Sequence, residues 1–333
     1  MNIMPDFSPS SPLFRGHYLR PALRPDSERQ RRRSTPLRNW KELRILLIAP
    51  ERGPASSLVP VLEEPLRHLL RDVVTIKYTH SLERYLGSSR PELVLVTGDG
   101  CGLPERNLRM LAASGAVRAA WVSDEETPAG FTPSPRPLFD FIFTQRYANL
   151  TNYRVLCTEA VHYLPLPPDT ALYRPRPANA GFRSDILIVE GNYSNGELNR
   201  WLEELPLEGK KVLRIRDGTL PLAEEADYFS GARMVINASG KLGTAQNVSA
   251  CGTFQLIRDD PALYDYTANN PALAVFHSGG KLRELFYHYW EDPDRRRTQA
   301  SRALADLRYN RSGLNQSMKL LTRLSAVSQV DER

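Results

Sequence analysis

Short aliphatic runs that alternate with helical patterns are the feature that most constrains this chain. One set of runs begins with Leu43–Ala49 and ends with His162–Leu166, and a second begins with Asp185–Val189 and ends with Leu273–Phe276. Such runs are typical of strands buried on both faces, and their alternation with helices favours parallel sheets. Because the rhythm occurs twice, the sequence predicts an α/β protein with two Rossmann-like domains that face each other across a cleft.

The length of the chain accommodates this arrangement, since a domain usually holds about 100–200 residues and the chain has 333. A proline-rich, polar stretch between the two sets of runs is typical of an interdomain linker. We expect an N-terminal domain over residues 41–166, a linker over 167–180, a C-terminal domain over 181–297 and further helices over 298–333.

Residues 1–40 differ from the rest of the chain. They contain eight arginines, three acidic residues and six prolines, and so carry +5 of the net charge of +6. A segment of this kind buries too little apolar surface to offset its ordering entropy, so we expect a disordered basic arm. A solvated tail is the commoner use of such an arm, and a tether to an acidic surface, a membrane or RNA is the alternative. The remaining body is nearly neutral, which disfavours nucleic acid as its partner.

The sequence contains no apolar run of the roughly 18 residues that a transmembrane helix needs, and no signal peptide is recognisable. The three cysteines, Cys101, Cys157 and Cys251, lie far apart. Their spacing matches neither a zinc site nor a disulfide framework, and the histidines are scattered. We therefore expect a cytoplasmic protein without a metal site.

The segment between the strand that ends at Asn237 and the next helix has the composition of an anion site. Ligands of open α/β sheets lie at the carboxyl ends of the strands, and free N–H groups at a helix start can hold phosphate oxygens. The residue order is not that of a Walker A loop, so a phosphate site and a simple strand-to-helix turn both stay open. The candidate ligand-binding residues are Ser239, Gly240, Lys241, Gly243, Thr244, Gln246 and Asn247.

Two other loops follow strands in the same way. Gly191, Asn192 and Tyr193 precede the first helix of the second domain and are candidates for the same ligand. Arg52 and Gly53 are their counterparts in the first domain, as a phosphate or acceptor loop. Neither loop has the G-x-G-x-x-G pattern of dinucleotide-binding proteins, so dinucleotide binding is not supported.

Asp124 and Glu125 follow the strand that ends at Val122. Carboxylates at that edge could act as a general base or bind a sugar hydroxyl. The alternative is an acidic loop that faces solvent, which is the commoner case.

Four stretches in consistent order resemble the CgeB-like glycosyltransferases, a family that includes spore-maturation proteins. The most specific is Ser249–Ile257, which resembles the family signature E-x-x-A-C-G-x-F-x-L. The other three are Trp121–Glu125 with Phe139–Thr144, Tyr163–Asp169 with Tyr173–Pro175, and Ser184–Tyr193.

This resemblance implies a GT-B fold and a nucleotide-sugar donor, a UDP-, GDP- or TDP-sugar, held mainly by the second domain. It implies no obligatory metal or cofactor, an unknown glycan or protein acceptor, and a possible association with spores. The family has an acidic residue that can bind donor ribose hydroxyls four positions before the signature cysteine, where this chain has Asn247. The family's upstream arginine is also absent, and Lys241 could replace it.

Three hypotheses follow. The first is an active glycosyltransferase in which Lys241 and backbone N–H groups meet the diphosphate charge and Asp124 or Glu125 is the base. The second is a catalytically degenerate protein with a structural or interaction role in the spore or envelope, favoured by Asn247 and the absent arginine. The third, a nucleic-acid binder that uses residues 15–38, has the least support.

Overall fold

The computed structural model describes residues 39–52, 56, 58–98, 100, 102–122, 139–156, 160–191, 196–268 and 270–326. The basic arm expected for the start of the chain lies, up to residue 38, outside the described residues. Among the described residues, no helix has both the length and the apolar character that crossing a membrane requires.

The first half of the chain forms a six-stranded parallel sheet with the order β2-β1-β3-β4-β5-β6. β1 is buried along its length because sheet neighbours flank it and helices cover its two faces, which explains its aliphatic sequence. The strands are β1 (Arg44–Ala49), β2 (Asp72–Lys77), β3 (Leu93–Thr97), β4 (Val117–Val122), β5 (Phe141–Thr144) and β6 (Val161–Tyr163).

Four helices accompany this sheet. In the first, Leu58, Leu62 and Leu66 recur at every fourth position, so they share one face and are buried against the sheet. The helices are α1 (Leu58–Leu69), α2 (Leu82–Ser89), α3 (Glu105–Ala113) and α4 (Leu150–Leu156).

The second half forms a five-stranded parallel sheet with the order β11-β10-β9-β7-β8. Its strands are β7 (Ser184–Glu190), β8 (Val212–Arg216), β9 (Ala232–Ala238), β10 (Gln255–Arg258) and β11 (Ala274–Phe276). Its helices, together with those that follow it, are α5 (Gly196–Glu203), α6 (Leu222–Gly231), α7 (Leu242–Ala250), α8 (Tyr264–Thr267), α9 (Gly279–Glu291), α10 (Pro293–Asn310) and α11 (Gly313–Ala326).

The predicted α/β architecture with two Rossmann-like parallel sheets is confirmed. Every strand expected from an aliphatic run is present, with ends shifted by a few residues. The sequence patterns missed α2, α4 and α8, which are short. Each offers only one or two helical turns, so no repeated apolar face marks it.

The last helix, α11, returns to the first sheet. Leu320, Leu321 and Leu324 are buried in the same core cluster as the apolar face of α1. The helix begins at Gly313, where a Cβ atom would lie 2.6 Å from the carbonyl oxygen of Val61, so only glycine allows this approach. The chain therefore crosses between the two sheets twice, before β7 and before α11.

Replacing Leu321 with alanine tests this packing. Leu321 is 0% exposed, and truncation of a buried leucine costs about 2–5 kcal/mol of stability. We expect urea unfolding of Leu321→Ala to show a loss of that size. Leu314→Ala on the same helix is the matched control, since Leu314 is 45% exposed, and it should stay within about 0.5 kcal/mol of the wild type. Equal losses in the two variants would contradict the packing of α11.

Candidate functional site

The loop that joins β9 to α7 is held in shape by its own side chains. The buried Asn237 side-chain oxygen accepts hydrogen bonds from the Ser239 amide at 3.1 Å and hydroxyl at 2.7 Å. The Ser239 hydroxyl oxygen in turn accepts from the Lys241 amide at 3.2 Å. The side chain of Asn237 is itself held in place by β10, because its nitrogen donates to Gln255 on that strand at 3.0 Å. The loop is therefore pre-formed.

Two glycines allow other chain segments to approach this loop closely. Gly240 has φ +67°, a left-handed conformation, and a Cβ atom there would lie 2.8 Å from the Asp260 carboxylate. Gly191, after β7, would place a Cβ atom 2.9 Å from the Ser239 carbonyl oxygen. The structure thus brings Gly191 against Ala238 and Ser239, as expected for two loops at neighbouring carboxyl ends.

Lys241 forms an ion pair with Asp217, which follows β8. The Lys241 ammonium lies 2.6 Å from one carboxylate oxygen of Asp217, and the Thr244 hydroxyl donates to the other. The Asp217 side chain is only 6% exposed, whereas that of Lys241 is 38% exposed. The pair therefore has its carboxylate inside and its ammonium at the surface, where a ligand can reach it.

A second carboxyl, that of Glu225 on α6, lies beside this pair and is buried. The Tyr173 hydroxyl, from the segment between the sheets, donates to it at 3.0 Å. The Asn247 side chain also forms a hydrogen bond with it. Asn247 thus stands next to a carboxyl that another helix supplies.

Burial raises the pKa of the Glu225 carboxyl above its ordinary value. The negative charge of Asp217 raises this pKa further, whereas the hydrogen bonds from Tyr173 and Asn247 and the charge of Lys241 act in the opposite direction. The single ammonium of Lys241 cannot neutralise two carboxylates. Protonation of one carboxyl group removes the excess negative charge.

The start of α7 offers further hydrogen-bond donors. The first N–H groups of a helix have no partner within the helix, and Lys241 at the N-cap position has no side-chain acceptor for them. Leu242 and Gly243 are partly exposed at this end. Gln246, one turn further, is 1% exposed, and no acceptor among the described residues binds its side-chain nitrogen.

The site therefore combines an oriented cation and uncapped N–H groups with two buried carboxyls. The donors suit the oxygens of an anion such as phosphate, and the carboxyls suit hydroxyl groups. A ligand that carries both kinds of group fits this combination best.

The described residues do not include all of the predicted site residues. Asp124, Glu125, Asn192, Tyr193 and Gly53 lie outside the described residues. Arg52 follows β1 of the other sheet and is exposed, and no hydrogen bond or ion pair among the described residues joins it to the loop after β9.

Three residues of the site escaped the sequence patterns, namely Asp217, Glu225 and Tyr173. Asp217 follows β8 directly, so the rule that ligands lie at the carboxyl ends of strands could have drawn attention to it. Glu225 lies within a helix, and Tyr173 lies 52 positions before it. Nothing local indicates that these two residues meet, because their contact is created by the tertiary fold.

Three solved structures share the architecture. Anabaena HepE, solved with UDP and glucose, gives a TM-score of 0.58 at 13% identity over 86% of this chain and 100% of that chain. Sucrose-phosphate synthase from Thermosynechococcus elongatus gives 0.54 at 12% identity, over 87% and 100% of the two chains. A glycosyltransferase from Rickettsia africae gives 0.59 at 8% identity, over 87% and 100%.

These similarities show that the chain has the GT-B fold, in agreement with the expectation from the sequence. No family profile and no curated protein sequence matches the chain. Membership of the CgeB-like family therefore stays a prediction.

Replacing Glu225 with glutamine tests the burial of this carboxyl. Its pKa is raised in the folded chain above the ordinary 4.5, so the wild type loses stability relative to the variant as the pH rises above that value. We expect the unfolding free energy of Glu225→Gln, minus that of the wild type, to grow from pH 4.5 until the folded-state pKa is passed.

Urea unfolding at a series of pH values measures this difference. Glu224→Gln, a neighbouring carboxylate on α6 that is partly exposed, controls for the loss of one charge. A difference between Glu225→Gln and the wild type that is the same at every pH would contradict the assignment.

Proposed function

We propose that this chain is a glycosyltransferase that uses a nucleotide-sugar donor, with a UDP-sugar as the first candidate. The observation that carries the proposal is the pre-formed loop at the start of α7, which presents Lys241 and uncapped N–H groups at the carboxyl edge of the second sheet. The fold is shared with Anabaena HepE, whose structures hold UDP or UDP-glucose. A UDP-sugar carries both phosphate oxygens and hydroxyl groups, which the site suits.

The ion pair gives Lys241 a defined position. An ammonium that Asp217 already orients needs no rearrangement when negative charge develops on the departing diphosphate, and this is the condition for electrostatic stabilisation of a leaving group. The N–H groups at the start of α7 would share the phosphate oxygens. The buried side-chain nitrogen of Gln246, which has no acceptor among the described residues, could donate to an oxygen of the nucleotide sugar.

Glu225 is proposed to supply the carboxyl that the family resemblance expects at position 247. Asn247 forms a hydrogen bond with Glu225, so the pair can accept from, or donate to, a hydroxyl group of the donor. The substitution of the family's acidic residue by Asn247 is then compatible with activity. Gly191 would line the same pocket, together with Asn192 and Tyr193.

The residues proposed for the acceptor side are taken from the sequence alone. Asp124 or Glu125 is proposed as the base that activates the acceptor hydroxyl, and Arg52 with Gly53 as a loop on the acceptor side. The acceptor is proposed to be a glycan or a protein. The chain itself is proposed to act in the cytoplasm, and in association with spores if it belongs to the CgeB-like family.

Replacing Lys241 with alanine tests the donor site. A hydrogen bond to a charged group contributes about 1.5–3 kcal/mol, so we expect the Kd for UDP, measured by isothermal titration calorimetry, to rise at least about ten-fold. Lys281→Ala is the matched control, since this lysine lies on α9 and pairs with Glu284 at 2.7 Å. Equal UDP affinity of the wild type and Lys241→Ala would show that Lys241 does not contribute to UDP binding.

A catalytically degenerate protein is the second candidate, and one observation favours it. The polar groups of the site already bind one another, since Lys241 pairs with Asp217 and Glu225 binds Tyr173 and Asn247. A thermal-shift screen against UDP, GDP, TDP and their sugars separates the candidates, because a bound ligand raises the Tm. No rise with any of these ligands would favour the structural or interaction role.

A further inference from the structure

Three tyrosines lie in segments through which the two halves of the chain contact each other. Tyr147 follows β5 and is 61% exposed, and Tyr264 opens α8 and is 66% exposed. Tyr163, at the end of β6, is partly buried, and its ring packs edge-to-face with that of Tyr147 at a centroid distance of 6.0 Å. Exposed rings are normal when scattered singly, but here the exposed ring of Tyr147 packs on a second tyrosine.

Asp265 joins the two sides of this surface. It follows Tyr264 in the second half of the chain, and its carboxylate accepts a hydrogen bond from the backbone N–H of Tyr147 in the first half. Burial raises the pKa of the Tyr163 hydroxyl to about 12, and the nearby negative charge of Asp265 contributes to this rise. Tyr147, Tyr163, Tyr264 and Asp265 thus form one continuous group, which we call the tyrosine surface.

The tyrosine surface is attached to the proposed donor site. In α8, the Tyr266 hydroxyl donates to Ser249 on α7 at 3.3 Å, and both Tyr266 and Ala245 belong to one core cluster. The segment that leads from β10 to α8 begins with Asp259 and Asp260, and the Asp260 carboxylate lies against Gly240. The tyrosine surface is therefore connected to the Lys241 loop through α8 and the segment that precedes it.

We propose that the tyrosine surface holds a sugar ring of a neutral carbohydrate acceptor. This inference rests on the proposed function and adds the chemical class of the acceptor. A tyrosine ring offers an apolar face and a hydroxyl at its edge, and a sugar ring likewise has a C–H face and a rim of hydroxyls. The Asp265 carboxylate would accept from those hydroxyls.

The charges around the surface favour a neutral ligand. Arg311 is a cation near Tyr163, and it forms an ion pair with Asp306 at 3.1 Å and stacks on the Tyr266 ring at 4.9 Å. Its charge is therefore already balanced, whereas Asp265 would repel an anionic chain. An uncharged oligosaccharide avoids this repulsion.

The test titrates the full chain, with and without UDP, with maltotriose, cellotriose and chitotriose, and follows binding by saturation-transfer difference NMR. We expect at least one of these saccharides to bind. An aromatic contact of the usual strength corresponds to a change of about five-fold in affinity, so Tyr147→Ala and Tyr264→Ala should each weaken binding by that factor. Tyr147→Phe, which keeps the ring, should retain most of the saccharide affinity.

Tyr287→Ala is the matched control, because Tyr287 is 44% exposed on α9 and packs on Phe286, outside the tyrosine surface. The Kd for UDP, measured on the same samples, should be unchanged in all variants. The proposal is overturned if the chain binds UDP but none of the three saccharides. It is also overturned if Tyr147→Ala and Tyr264→Ala leave the saccharide affinity unchanged. Tyrosine-dependent saccharide binding without any UDP binding would retain the surface and overturn the donor assignment instead.

Discussion

The contact between the Asp217 carboxylate and the Lys241 ammonium is the interaction on which the site depends. Asp217 is almost fully buried, and a buried carboxylate without a partner destabilises a fold by about 3–5 kcal/mol. The pair and the Thr244 hydroxyl hold the end of β8 to the start of α7. The loop after β9 thus keeps one shape, and its cation has one position.

Glu225 extends this arrangement to the rest of the molecule. Its bond with Tyr173 reaches the segment that joins the two sheets, and its bond with Asn247 returns to α7. The same helix contacts α8 through Ser249, and α8 carries the part of the tyrosine surface that belongs to the second sheet. The donor and acceptor regions as proposed are therefore joined through α7 and α8, which suits a reaction that requires two substrates in fixed relation.

The fold was predictable from the sequence because buried parallel strands leave a strong local record. Leu43–Ala49 and Asp185–Val189 are aliphatic for the physical reason that both faces of β1 and β7 are covered. The loop containing Lys241 was predictable too, since it follows such a strand. By contrast, α8 has four residues, too few for a periodic pattern.

The partners within the site were not predictable, because they are distant in the sequence. Asp217 lies 24 positions from Lys241 and 27 from Thr244, and Asp265 accepts a hydrogen bond from the backbone of Tyr147 in the other half of the chain. The family resemblance directed attention to position 247 as the place of an acidic residue. It gave no sign of the carboxyl of Glu225, which lies beside Asn247 on a neighbouring helix.

Hydrogen–deuterium exchange with and without UDP tests the central claim most directly, namely that the loop at the start of α7 binds the donor diphosphate. The account predicts that UDP slows amide exchange over residues 239–244, with a smaller effect around Gly191, because bound phosphate oxygens would occupy these N–H groups. UDP-induced protection confined to the six-stranded sheet, with no change over residues 239–244, would contradict it.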